Sequence, residues 1–375
     1  MLDFFLSYLP EKSSFLNLFS YLSTRTILST LSALMIVLFF GDKFIEFIRS
    51  IQFNQKIDDR GPKSHKVKDG TPTMGGLLII GSVLLSGLLW GDLQNKYLLI
   101  SLFTIFSFGL IGFFDDYRKV KSLDSKGLSM VTKIFFQVVF AFIASSLLYY
   151  NANSTAETNY IVPFFKTVSI DLGIFFIFIS VFILVGSSNA VNLTDGLDGL
   201  AILPVIIVTA ALGFIAWSTG NLIASEYLYI PYIERTGELL VLCGAMIGAG
   251  IGFLWFNTYP AQIFMGDIGS LSMGSFIALI AIIVRHEIVF AVMAMIFIIE
   301  AMSVILQVAS FRIRRKRIFK MAPLHHHFEL IGWKEPKIIV RFWIITFIFV
   351  LIGLSLLKIR SVSYTHLTLP TKRIV

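Results

Sequence analysis

Charge is scarce in this chain. Asp, Glu, Lys and Arg make up 14% of its 375 residues, where a soluble domain carries about 25%. The shortfall excludes a soluble globular protein, because 56% of the residues are hydrophobic and no soluble core hides so many apolar side chains. Cysteine is all but missing: Cys243 is the only one. That excludes an intrachain disulfide and a thiolate metal site, and leaves a small packing residue. The first residues, Met1-Leu2-Asp3-Phe4-Phe5-Leu6, lack the basic n-region and small-residue cleavage site of a signal peptide. The first spanning helix is therefore expected to serve as the insertion signal. No internal repeat or low-complexity tract is present.

What the chain has in abundance is apolar runs of roughly 17 to 22 residues, the length that crosses a hydrocarbon core. They lie at 25–48, 74–90, 97–114, 134–150, 172–185, 200–217, 239–256, 268–284, 288–308 and 338–357; the fifth is short. This predicts an all-α integral membrane protein of ten transmembrane helices in one polytopic domain, residues 1–360. The polar stretch 361–375 is expected to be a disordered or non-native extension.

Ten crossings put both termini on one side. The loops after the odd-numbered runs hold most of the 31 basic residues, among them Arg49, Lys68, Arg118, Lys119, Lys126, Lys133 and the run from Arg312 to Lys320. The opposite loops hold few. By the positive-inside rule the odd loops face the cytoplasm and both termini are periplasmic. The formal charge of +8 is then topological, so nucleic acid is not implied as a partner, whereas the lipid bilayer is.

The polar clusters fall in or beside those same five loops. Asn189 to Ala201 sets Asn192, Asp195 and Asp198 three residues apart, with Gly196 and Gly199 between them. Unpaired amides and carboxylates facing lipid cost several kcal/mol, so this knot must meet water, a metal or a polar ligand. Asp115-Asp116 ends the third helix, where carboxylates oppose the macrodipole and need a metal ion or cations such as Arg118, Lys119 and Lys121. A paired carboxylate is also what Mg²⁺ takes. Asp267 opens the eighth helix, as an N-cap or beside a phosphate bound at the helix N-terminus. His325-His326-His327 suits phosphate or sugar oxygens better than one metal ion, since consecutive residues do not converge unaided. Within the ninth run Glu300 is expected to make an interhelix hydrogen bond, and Gln307 to line the site. One-sided placement argues against a transport path, which needs ionisable groups near the midplane.

At these residues the chain resembles the bacterial polyprenyl-phosphate N-acetylhexosamine-1-phosphate transferases. Asp115-Asp116-Tyr117-Arg118-Lys119, Asn189 to Ala201 and Phe264 to Ser270 are similar to motifs of the whole superfamily. Gly70 to Gly76, Phe253 to Gln262 and Met321 to Glu329 resemble its phospho-N-acetylmuramoyl-pentapeptide branch. The similarity runs from about Phe19 to Arg360.

The resemblance implies Mg²⁺-dependent transfer of phospho-MurNAc-pentapeptide from UDP-MurNAc-pentapeptide to undecaprenyl phosphate, giving lipid I and UMP. It also implies ten helices around a cytoplasmic cleft, as a homodimer. It assigns the metal chiefly to Asp267, with Asp115 and Asp116 beside it, or one of those two as the base for the lipid phosphate. His326 joins Asp115, Asp116 and Asp267 as catalytic. Lys68, Thr73, Asn192, Asp195, Asp198, Asn257, Phe264 and Gln307 are expected around the uridine and diphosphate, Lys119, Lys126 and Lys133 at phosphates, and His325 and His327 at the diphosphate or sugar. One-step attack and a covalent intermediate both stay open. The rival readings are a sister transferase for another UDP-HexNAc, disfavoured by Pro323 to Glu329; a CDP-alcohol phosphotransferase, whose further downstream aspartates are missing; and a transporter or lipid flippase.

Overall fold

The structure, a computed structural model, describes residues 16–51, 70–121, 127–162 and 169–362. Among them it is built mainly of α-helices, with three short 3-10 helices and one antiparallel pair of two-residue strands, Tyr160–Ile161 and Ser169–Ile170. The helices are α1 (Leu22–Ser50), α2 (Gly76–Trp90), α3 (Lys96–Lys121), α4 (Met130–Tyr150), α5 (Phe175–Thr194), α6 (Ile202–Thr219) and α7 (Leu222–Leu228). They continue as α8 (Leu239–Asn257), α9 (Gly266–Ile283), α10 (Glu287–Met293), α11 (Met295–Arg314), α12 (Leu324–Leu330) and α13 (Glu335–Val362). Eight of these are long and apolar enough to cross a membrane, namely α3, α4, α5, α6, α8, α9, α11 and α13. Helix α2 is apolar but shorter.

Helix α9 forms the axis of the bundle and is almost wholly enclosed. Its sequence explains the position: Gly269, Ser270, Ser272, Gly274, Ser275, Ala278 and Ala281 are small, and small residues let helix backbones approach where water supplies no driving force. Ser187 and Ser188 of α5 donate to the carbonyls of Gly274 and Leu271 on α9 at 2.8 and 3.1 Å. Helices α1 and α8 meet along Gly244, Gly248 and Gly252, where side chains would strike Thr26, Thr30 and Val37. Cys243 is buried with a free thiol, as expected of a packing residue. The outward faces of α4, α5, α11 and α13 expose large apolar side chains such as Phe135, Phe182, Ile305 and Phe347, as lipid contact requires.

The ninth apolar run differs from its expected single helix. It breaks at Ala294 (φ −87°, ψ 14°) into α10 and α11. The two halves serve different neighbours, α10 packing on α13 and α11 chiefly on α5. The break keeps its backbone satisfied, with Ala294 N–H donating to Phe290 and its carbonyl accepting from Phe297 and Ile298.

The end of the bundle opposite the acidic helix ends is tied by ions. There Arg25 of α1 forms a bidentate pair with Glu238 ahead of α8, and Glu238 also accepts from Asp92 N–H. Beyond α9, Arg285 pairs with Glu287 at 2.8 Å, both nearly inaccessible. Arg285 also donates to the Asn159 carbonyl at 2.9 Å and stacks on Phe176, so it fastens the strand-bearing loop to the bundle. Removing one partner strands a buried charge, at about 3–5 kcal/mol, whereas an exposed pair is worth about 0–1 kcal/mol. Arg285→Ala should therefore lower the thermal unfolding midpoint far more than Arg235→Ala, which breaks the half-exposed pair with Asp92; equal midpoints by differential scanning fluorimetry in detergent would contradict this.

Candidate active site

Two helix ends meet to make the site. Asp115 and Asp116 lie in the last turns of α3 and are buried. One turn earlier, Gly112 lets the α3 backbone touch that of Asp267 and Ile268 at the start of α9; a methyl there would collide with it. Helix α9 begins at Gly266, whose φ of +71° suits glycine and whose missing side chain leaves room for the Asp116 carboxylate. The strip 72–76 pairs with this entry, Phe264 N–H donating to Pro72 and Gly75 and Gly76 N–H to Phe264 and Met265, all at 2.8–2.9 Å. Thr73 is held beside Gly266 as a result.

Asp267 is not the N-cap. Met265 takes that place without a side-chain bond, and Asp267 falls in the first turn. Its carboxylate turns inward, accepting from Asn192 Nδ2 at 2.8 Å and from the Lys133 ammonium. Asn192 also donates to Ser270 Oγ at 2.8 Å. Asp115 accepts from Leu128 N–H at 2.7 Å and Asp116 from Ile268 N–H at 3.2 Å.

One oxygen from each of Asp115, Asp116 and Asp267 lies within 4.8 Å of the others. Like charges about 4 Å apart repel by roughly 4 kcal/mol near a protein surface, so the cluster needs a cation. Lys119 provides one, its Nζ 2.6 Å from Asp115, 3.6 Å from Asp116 and 3.0 Å from Asp267. Lys133, on α4, pairs with Asp267 and lies 3.9 Å from Asp115. Three hard carboxylates already gathered around a positive charge could hold a metal ion, and oxygen donors of this kind suit a hard divalent cation.

The other expected residues divide into groups. Asp195 caps α5 at its C-terminal end, and burial together with Asp267, Asp116 and Asp198 holds its carboxyl well above the usual range. Asp198 and Asn257 are buried and spent largely on backbone: Asp198 accepts from Ala261 N–H at 2.9 Å, while Asn257 accepts from Gly199 N–H and donates to the Ile263 carbonyl. They lock the 195–199 turn to the 257–263 loop, with Phe264 half-buried beyond it. Gln307 clasps the basic segment, accepting from Ile318 and Phe319 N–H and donating to the Phe319 carbonyl.

The three histidines have separate environments. His325 is fully buried with its Nε2 against Gly196, so α12 packs on the same turn that carries Asp195. Glu300 supplies the interhelix bonds expected of it, accepting from Leu324 and His325 N–H at 2.7 and 3.1 Å. The His326 ring is oriented by Glu329 at 2.8 Å, and His327 Nδ1 accepts from Lys320 N–H. Lys68 and Lys126 lie outside the described residues. Sequence reasoning gave no role to Ser270 or to Glu335, which accepts from Asp198 N–H; Ser270 at least sits in a quoted motif, whereas nothing in the pattern marks Glu335.

Two comparisons bear on this geometry. A family model described as glycosyl transferase family 4 matches residues 98–285, which covers Asp115, Asn192 and Asp267. A motif described as phospho-N-acetylmuramoyl-pentapeptide-transferase signature 1 matches residues 68–80, which include the strip 72–76 that pairs with the start of α9.

The raised Asp195 carboxyl sets a pH dependence. A native state that keeps this proton gains stability below the ordinary carboxylate range and loses it as pH rises through the native value. Asparagine mimics the protonated form. With chelator present, Asp195→Asn should thus melt above the parent at pH 8, by a margin that shrinks toward pH 4; a margin independent of pH would show that Asp195 is ionised in the native state.

Proposed function

The chain belongs to glycosyl transferase family 4, and from that premise we propose that it transfers phospho-MurNAc-pentapeptide from UDP-MurNAc-pentapeptide to undecaprenyl phosphate, releasing UMP and forming lipid I. The observation that carries the reading is the convergence of Asp115, Asp116 and Asp267 around Lys119, beside Lys133 and Asn192. The signature at 68–80 favours the muramoyl-pentapeptide branch over a sister UDP-HexNAc transferase.

In this reading the acceptor phosphate oxygen attacks the sugar-bearing phosphorus, the bond to the bridging oxygen breaks, and UMP departs. Two polyanions must meet for this, so most of the work is charge compensation and positioning. Asp115, Asp116 and Asp267 would hold Mg²⁺, which when bound stabilises charge on the diphosphate and the leaving UMP. Lys119 and Lys133 are the ammonium groups nearest the reacting phosphates. Asn192 holds Asp267 in place through one carboxylate oxygen. In the alternative arrangement Asp267 is the chief ligand of the ion, and one of Asp115 and Asp116 serves instead as the base that takes any proton left on the acceptor phosphate. Asp195, Thr73, Phe264 and Asn257 are assigned to the nucleotide side, and His326, steadied by Glu329, addresses the diphosphate or sugar with its two neighbours.

The proposal includes the setting. The ten apolar runs cross the inner membrane with the acidic end of the bundle in the cytoplasm and both termini outside; residues 1–360 act as one unit, and two chains pair. The positive loops support that orientation. The acid cluster lies at helix ends instead of midway along them, which speaks against a transport path.

The test is UMP release by the purified chain with each substrate and Mg²⁺ omitted in turn. Release should need all three and should fail with UDP-GlcNAc; turnover with UDP-GlcNAc would move the chain to the sister branch, and no release from folded protein would reopen transport. Asp267→Asn should lower turnover by about 10²-fold or more, while Lys133→Ala should chiefly raise KM for the UDP substrate. Parent-like kinetics in either variant would remove that residue from the site.

A further inference from the structure

A cavity of about 580 Å³ opens between α3 and α4, walled by Leu110 and Phe114 on α3 and by Phe136 and Phe140 on α4, with Leu128 between them. Its lining on α3 then turns from apolar to cationic at Arg118 and Lys121. From Leu110 to Lys121 is about 16 Å along a helix. Arg118 is exposed and has no carboxylate partner among the described residues. Lys121 lies near the Tyr117 hydroxyl and ring.

We propose that this cavity binds one anionic glycerophospholipid that is not consumed in the reaction, an acyl chain between α3 and α4 and its phosphate on Arg118 and Lys121. The charge arrangement selects this occupant over the acceptor lipid. At about 100° per residue, Leu110, Phe114 and Lys121 sit on roughly the opposite face of α3 from Asp115, Asp116 and Lys119, and Arg118 stands at the edge between the two faces. A phosphate drawn to Lys121 at the foot of this apolar face therefore lies off the reacting group. The cavity still communicates with the site: Leu128 forms its wall with its side chain and holds Asp115 with its backbone N–H at 2.7 Å. A lipid packed on Leu128 steadies the segment that orients Asp115.

The experiment counts lipid without turnover, so it is read whether or not the transferase reading stands. The full chain is placed in nanodiscs of mixed phosphatidylcholine and phosphatidylglycerol, and retained lipid is measured by native mass spectrometry. One phosphatidylglycerol per chain is expected. With each cation worth about fivefold near an anionic headgroup, Arg118→Ala/Lys121→Ala should lose roughly 20-fold in retention. Leu110→Trp, which fills the cavity from the other end, should lose it as well with both cations intact. Parent-like retention in both variants, or displacement of phosphatidylglycerol one for one by polyprenyl phosphate, would overturn the assignment; the second result would give the cavity to the acceptor.

Discussion

The structure turns on the repulsion among three carboxylates held within 4.8 Å of one another. That arrangement is costly in a chain built mostly of lipid-facing helices. Its persistence requires the neighbours that offset it: Lys119 among all three acids, Lys133 and Asn192 on Asp267, and backbone N–H groups of Leu128 and Ile268 on Asp115 and Asp116. The close crossing of α3 and α9 at Gly112, and the left-handed entry at Gly266, exist to bring these groups together. A cluster so compensated is poised for cations and phosphates, since the same charges that satisfy it can be exchanged for a ligand's.

Burial elsewhere supports this centre. The enclosed, small-residue axis of α9 fixes where Asp267 emerges. The turn after α5 is fastened from three sides, by Asn257, by Glu335 and by the Trp343 indole on the Gly199 carbonyl at 3.2 Å. The histidine-bearing α12 is hung from Glu300 and packs on Gly196. Loops that carry chemistry are thereby held as firmly as helices, which orientation of a diphosphate between two substrates demands.

The apolar runs were legible because lipid imposes a length, and all ten fall on helices. The acid cluster was legible because unpaired carboxylates in such a chain need a reason. The break at Ala294 was not, since both halves are apolar and only their different packing partners separate them. Nor did the sequence reveal that Asp198, Asn257 and Gln307 spend polar atoms on backbone; it marked Lys119 as a cation able to offset Asp115 and Asp116, but not its reach to Asp267. Motif spacing places such residues near a site; whether each faces ligand or backbone depends on loop conformation, which residue types alone leave undetermined. Asp267 illustrates the point: its position suited an N-cap, yet the pull of Lys133 and Asn192 turns it into the centre.

The central claim is that the three aspartates form one cation site facing the nucleotide diphosphate. It is tested most directly with Mn²⁺ as a paramagnetic stand-in on the purified chain. One bound Mn²⁺ per chain, lost in Asp267→Asn and showing phosphorus hyperfine coupling once UDP-MurNAc-pentapeptide is added, is the result the account predicts. Mn²⁺ binding unchanged in Asp267→Asn, or a bound ion without phosphorus coupling in the presence of the nucleotide, would contradict it.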